Sequence, residues 1–512
     1  MKTSGKITLI AVALFLAASP VCNGGRLLTG LERNGYTRLT SSSEISGFLA
    51  ELSSRYTSAE RVTIATSALG SPVEALLISS ELDRFKDGNS DSDKITVMLV
   101  GSQHGTETSG AEALLLVARD VLEAKLGSYR EDMDFVFIPN SNPDGRNLER
   151  TKNGNGININ RNYTILSEPE SRGIINAMHR WRPEVVLDVH ESAVLKKKSL
   201  ARQGYLTDFE AQFEAANNPN VDRGIRIFSF KRLLPEIIAR VKARGLAAQR
   251  YVKEITSIHQ PITHGGLTLR NLRNMAGMLG AFSFLLENRL DPSTGTYPTP
   301  RNIRVRVSKQ YLSIMSFLES CRTHRSEMAT LSRNARMKWK NPHDEAPLYL
   351  AFSYVADPNQ PEITLPLRKI DTGELIRNTF RYHGSVESHT PMVLPSSYVI
   401  TDYQELIREI LSRNHIHYQV VEKAAETFVK IKRIKDRKVE VMSTGQHQAH
   451  YSVIERTAKY LVPPGDLVVN LNQPARRLIA LLLEIESFSS IFNADEYLPL
   501  VEKGNDFFIN YQ

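Results

Sequence analysis

The segment GSQHGTETSG (residues 101–110) places an imidazole, His104, and a carboxylate, Glu107, three positions apart directly after the apolar run TVMLVG. A strand-to-helix turn carrying the first and an opening helical turn carrying the second would converge both side chains on one point, and a divalent metal suits that geometry. Catalytic zinc takes three protein ligands, commonly two His and one Glu, plus a water. A distant third ligand is therefore required, and His190, ending the run EVVLDVH, is the best candidate. The same residues also have a bland use, His104 and Glu107 as a helix-start hydrogen bond and His190 as a satisfied core side chain. His-x-x-Glu by itself does not separate the two.

The elements that must position these groups are legible from hydropathy. Four continuous apolar runs each lead into polar chemistry: TVMLVG (96–101) into His104, FVFIPN (135–140) into SNPDG, EVVLDVH (184–190) onto His190, and AFSFLLE (281–287) onto Glu287. Runs of this kind are expected of strands buried on both faces, and open α/β sheets build their sites just beyond the carboxyl ends of such strands. After His104, TSGAEALLLVARDVLEAKLG sets Ala111, Leu114, Leu115, Ala118 and Leu122 on one face, which predicts a helix starting near Thr106 and packed on the sheet.

Between the second and third runs lies NSNPDGRNLERTKNGNGININRNY (140–163). With His-x-x-Glu, an Asn-Pro-Asp-Gly turn, a following arginine, an Asn-Arg-Asn element, a strand-ending histidine and a strand-ending glutamate in that order, residues 35–325 resemble the zinc carboxypeptidase family, typified by carboxypeptidase A. The resemblance implies an α/β fold, a mixed and mostly parallel sheet flanked by helices, and hydrolysis of C-terminal peptide bonds. It implies one zinc ion held by His104, Glu107 and His190, Glu287 as general base, and Arg150 as the cation facing a developing oxyanion. Asn160 and Arg161 would grip the free carboxylate of a peptide or amide substrate, a guanidinium fork matching a carboxylate bidentately.

The chain departs from the family pattern in three places. Asn158 stands where an aspartate usually orients a zinc histidine, and Asp188, on the same strand face as His190, could share that work. The family's mobile tyrosine, about two dozen residues before the base, finds no counterpart in THGGLTLRNLRNMAG. Tyr251 lies farther upstream, so His264, Arg270 or Arg273 could cap the substrate instead. The short gap from Glu107 to His190 is similar to that of bacterial branches and of related deacylases.

The remainder bounds the setting. The leader MKTSGKITLIAVALFLAASPVCNGG has early lysines and an apolar stretch from Ile7 to Ala18, the layout of a secretory signal peptide over residues 1–24, too short to span a bilayer; an uncleaved anchor is the alternative. A secreted or periplasmic location follows, with no stable membrane span once the leader is removed. Cys22 and Cys321 are the only cysteines, which leaves at most one disulfide. Lys plus Arg number 64 against 56 acidic residues, a net +8 scattered along the chain rather than striped, which gives little support to nucleic-acid binding. Polar THRSEMATLSRNARMKWKNPHDEAP suggests a linker over 326–345, or a surface excursion, between a catalytic domain (25–325) and a smaller C-terminal α/β accessory domain (346–512). His447 and His450 read as ordinary strand residues. Three functions remain open at this point: a zinc exopeptidase, a zinc amidase or deacylase acting on cell-wall peptides or acylated amino acids, and an inactive binding module. The last would be marked by loss of a ligand or of the base, and neither is lost.

Overall fold

The computed structural model of the chain describes residues 26–88, 94–125, 129–290, 303–341, 346–442 and 446–512. The leader and Cys22 lie outside these residues; Cys321 is buried and unbridged.

Nine strands account for the first half: β1 (Ala59–Thr66), β2 (Pro72–Ile78), β3 (Ile95–Gly101), β4 (Met133–Ile138), β5 (Val185–Ser192), β6 (Tyr205–Thr207), β7 (Ala211–Ala215), β8 (Ala248–Arg250) and β9 (Phe282–Arg289). All but β6 join one eight-stranded sheet in the order β1-β2-β4-β3-β5-β9-β7-β8. The four central strands, β4, β3, β5 and β9, run parallel, whereas β1 with β2, β2 with β4 and β7 with β9 pair antiparallel. The four apolar runs are thus the parallel heart of a mixed sheet.

Their burial explains the continuous hydropathy. Val97, Leu99, Phe135, Phe137, Leu187 and Val189 enter one apolar cluster, and Met98, Val100, Val136, Ile138 and Val186 the other. Alternate side chains leave opposite faces of a strand, so a strand covered on both sides has no position to give to water. Helices Thr108–Leu122 and Ile303–Thr323 cover the first face, and Pro169–Trp181 with Leu272–Met278 covers the second.

The C-terminal region is not strung on a loose tether. Residues Arg325–Lys340, within the stretch expected as a linker, form a helix whose Met328 and Ala335 join the first core cluster. Polar composition misled there because only a narrow stripe, Met328, Ser332, Ala335 and Trp339, is buried. Farther on, Tyr398, Ile407, Ile410, Leu478 and Leu482 share the second cluster with Val136 and Trp181. β6 pairs with Glu362–Lys369. The region carries helices Gln404–Arg413 and Arg476–Leu483 and a six-stranded sheet dominated by the long hairpin Ala425–Val441 and His447–Val462. No helix among the described residues is long and apolar enough to cross a membrane.

Candidate metal centre and cleft

β3 is the point where the chain order reverses, with β4 on one side and β5 on the other. A crevice opens at such a switch point. Ser102, immediately after β3, adopts left-handed backbone (φ 55°), which turns the chain out of the sheet. Gly105 then passes so close to the Asn-Pro-Asp-Gly turn that a Cβ on it would lie 2.0 Å from the Gly145 carbonyl carbon. That turn is fixed in its own right: Asn142 Oδ1 accepts from the Gly145 amide at 2.8 Å, and Asp144 accepts from the Ser67 hydroxyl at 2.7 Å and the Leu69 amide at 2.9 Å. The helix expected from Thr106 begins at Thr108, so Glu107 is its N-cap rather than part of its first turn.

His104 Nδ1 lies 2.7 Å from Glu107 Oε1, and His190 Nδ1 lies 2.7 Å from Glu107 Oε2. One ligand atom from each of the three falls within 4.8 Å of the others. The same nitrogen of both rings faces the same carboxylate, while the opposite nitrogens are occupied elsewhere. His104 Nε2 meets Asn158 Oδ1 at 3.2 Å, and His190 Nε2 meets Asp188 Oδ1 at 2.8 Å. Asp188 is held in turn by Gln103 Nε2 (2.5 Å) and Asn160 Nδ2 (3.0 Å). Carboxylate or amide partners on the far nitrogen are how metal-binding histidines are oriented.

Charge in the crevice is arranged to favour a cation. Burial alone would lower the His190 pKa, but Asp188 and Glu107 raise it well above the ordinary value. Burial would raise Glu107, yet His104 and His190 bring it far below the usual carboxylate range. A site that stabilises positive charge at the meeting point of two imidazoles and a carboxylate, at ligand-type spacing, fits a zinc ion.

Glu287 sits beside this centre because β5 and β9 pair in register, His190 opposite Glu287. Burial, and then the Glu107 charge, push its carboxyl pKa up to about 8, and its Oε2 is buried without a hydrogen-bond partner. A cavity of about 640 Å³ opens over it, lined by His104, His190, Glu287, Asn160 and Arg161.

Residues 45–196 match the family model described as zinc carboxypeptidase. That stretch of the chain is similar to the zinc carboxypeptidase family. The match holds His104, Glu107, Asn160, Arg161 and His190, while Glu287 lies beyond it. Carboxypeptidase 2 of Trichophyton rubrum is 27% identical over 205 residues, covering 39% of this chain and 38% of that protein. Carboxypeptidase 2 of Trichophyton equinum is 29% identical over 206 residues, 39% and 37% respectively. The chain thus spans under two-fifths of the length of the curated relatives it matches. Similar solved structures include a metallo-carboxypeptidase from Burkholderia cenocepacia (17% identity, TM-score 0.42, 56% of this chain and 71% of that one). Another is carboxypeptidase A from Helicoverpa armigera (18%, 0.42, 56% and 75%).

The structure gathers six of the seven sequence-named residues. Arg150 is the exception. Its guanidinium donates to the Asn153 and Gly154 carbonyls at 2.5 and 2.9 Å, and it does not line the cavity. Asn160 lines the cavity, but its amide is committed to Asp188 and lies 2.9 Å from His190 Nε2, so it helps to position that ring. Arg161 donates to the Asn160 carbonyl at 2.6 Å and faces the cleft.

Tyr251 also lines the cavity, although sequence counting sets it too far upstream. Burial, and then the Glu287 charge, raise its phenol pKa. The extra length is an excursion that closes on itself: the Lys253 amide bonds the Thr263 carbonyl at 2.9 Å, and His264 Nδ1 bonds the Tyr251 carbonyl at 2.7 Å. Counting from the base fails because the loop returns to its start. Phe352, Tyr354, Gln448 and Phe488 of the C-terminal region complete the wall, and no local motif announces them.

Proposed function

We propose that the chain is a zinc-dependent carboxypeptidase that removes the C-terminal residue of peptides. The observation that carries the reading is the His104–Glu107–His190 cluster with Glu287 in register beside it, in a cavity that also holds Arg161.

His104, Glu107 and His190 would hold one zinc ion. When bound, zinc supplies Lewis-acid chemistry, lowering the pKa of water and polarising a carbonyl. Arg161 anchors the free carboxylate, a bidentate contact that sets the last peptide bond over Glu287. Glu287 accepts a proton from the attacking water and returns it to the leaving amine, and its raised pKa in a dry setting suits both roles near neutral pH. Tyr251, which lines the same cavity as Glu287, would donate to the substrate, a part for which the sequence suggests His264, Arg270 or Arg273. Arg150, bonded to backbone carbonyls and not lining the cavity, is given no part in this reading.

The leader over 1–24 supports export, so the enzyme acts outside the cytoplasm. Residues 25–325 form the catalytic unit and 346–512 the accessory unit that walls the cleft.

Metal analysis of the purified protein, with a peptide-library digest read by mass spectrometry, tests this reading. Loss of single C-terminal residues by wild type, and none by Glu287→Gln, is the expected result. Cleavage only of acylated amino acids or cell-wall peptides would make the chain a deacylase or amidase, and a metal-free, inert protein would make it a binding module.

A further inference from the structure

Several buried arginines in this protein are paired with a carboxylate. Arg146 meets Glu112 at 2.7 Å, Arg306 meets Glu191 at 2.5 Å, and Arg119 meets Glu32 at 2.5 Å. Such pairing is expected, because an uncompensated buried charge is costly.

The cleft breaks this pattern. Arg161, Arg270 and Arg273 all line the cavity, with Arg270 6% and Arg273 4% exposed. Their acceptors are neutral: the Asn160 carbonyl for Arg161, the His447 carbonyl (3.0 Å) for Arg270, and Asn217 Oδ1 (3.0 Å) with the Gly266 carbonyl (2.9 Å) for Arg273. Arg273 Nε is buried with no hydrogen-bond partner. Among the described residues no carboxylate lies within ion-pair distance of any of the three. Three of the acids at the cavity wall have other partners, Glu254 with Lys196, Glu440 with Lys438 and Asp188 with His190, and Glu287, beside the metal centre, makes no ion pair with the three arginines. The guanidiniums also repel one another. Burial, and then Arg161, bring the Arg270 pKa down to about 10, and Arg273 adds to the burial that lowers Arg161.

One α-carboxylate needs one guanidinium fork, so a substrate with a single carboxylate leaves two cations uncompensated. The structure assigns to Arg270 and Arg273 the recognition of a second carboxylate, that of a C-terminal glutamate or aspartate whose α-carboxylate is held by Arg161. This rests on the carboxypeptidase reading and names its substrate class. An acidic side chain would regain the charge-assisted hydrogen bonds that the neutral acceptors leave unmade, whereas its amide isostere could not.

Binding of N-acetylglutamate and N-acetylglutamine to the metal-free protein, measured by calorimetry, isolates that carboxylate from catalysis. The acid is expected to bind at least about tenfold more tightly, and Arg270→Gln and Arg273→Gln should each shrink the ratio to about threefold or less. Thermal unfolding reports whether each variant folds; should Arg273→Gln fail, Arg270→Gln and the wild-type ratio still decide. Equal binding of the two ligands, or a folded variant with the ratio intact, overturns the inference. The zinc-loaded enzyme is then compared on peptides ending in Glu and in Gln. Hydrolysis of both at equal rates sinks the acidic preference and leaves the carboxypeptidase. Selective binding without hydrolysis of either peptide supports the anion site and sinks the carboxypeptidase.

Discussion

His190 and Glu287 are register partners on adjacent parallel strands, β5 and β9, although 97 residues separate them in the chain. Side chains of directly paired residues leave the same face of a sheet, so a histidine that binds at one position brings a carboxylate beside it at the other. Replacing Glu287 by Gln keeps the shape and removes the proton acceptor. The expected result is a fall in kcat of about 10²–10⁴ with metal content unchanged, read by steady-state kinetics and elemental analysis of the same sample. Metal loss in that variant would show Glu287 to be a ligand instead.

Asp188 acts on the centre through His190 Nε2, 2.8 Å away. Asp188→Asn should weaken metal affinity about 10–100-fold, measured by competition with a chelator. His190→Ala should abolish stoichiometric binding. Full affinity in Asp188→Asn would mean that Asn160 alone orients the ring.

Arg150 offers a test between motif and geometry. Its Nη2 bonds the Asn153 and Gly154 carbonyls and the side chain does not line the cavity, so Arg150→Lys is expected to change kcat/KM by no more than about threefold, since conservative changes away from reacting groups cost little transition-state energy. A loss of about two orders of magnitude would restore the oxyanion role that the sequence suggests.

His264 supplies a pH signature. It is buried, bonds the Tyr251 carbonyl through Nδ1 and the Tyr382 hydroxyl through Nε2 (2.6 Å), and has Glu214, Arg250 and Arg273 around it. Burial lowers its pKa from 6.5 to about 4 against the opposing pull of Glu214. The neutral ring is favoured by folding, so its contribution is complete above the unfolded value near 6.5 and is lost as pH falls from there towards 4. On the order of 3 kcal/mol goes with it. Denaturant unfolding of the metal-free protein should show that decline, and His264→Gln should flatten it.

Two packing changes probe the frame. Gly105→Ala forces the His-x-x-Glu turn off the Asn-Pro-Asp-Gly turn and should cost roughly 1–3 kcal/mol or more together with metal affinity. Met328→Ala, in the helix that replaces the expected linker, should cost about 2–5 kcal/mol in a single unfolding transition. A separate, early transition in that variant would show that the two halves unfold independently.

Much of this was legible along the chain. Buried strands declare themselves by unbroken apolar runs, and each ligand sits where such a run stops, so β3, β4, β5, β9 and the residues His104, Glu107, His190 and Glu287 follow from hydropathy and order. A helix with a narrow buried stripe, such as Arg325–Lys340, looks like a polar linker because most of its side chains face water.

What the sequence by itself determined is the chemistry available: two imidazoles and two carboxylates, each at a strand end, with the guanidiniums of 161, 270 and 273. What only the tertiary structure decided is which of them meet. Strand pairing set His190 against Glu287, a self-closing loop returned Tyr251 to the cleft, backbone carbonyls withdrew Arg150, and a C-terminal hairpin closed the wall over Arg270. The reason is physical: residue type and local period act over a few positions, whereas proximity in a site is fixed by sheet register and loop closure between segments as many as 177 residues apart.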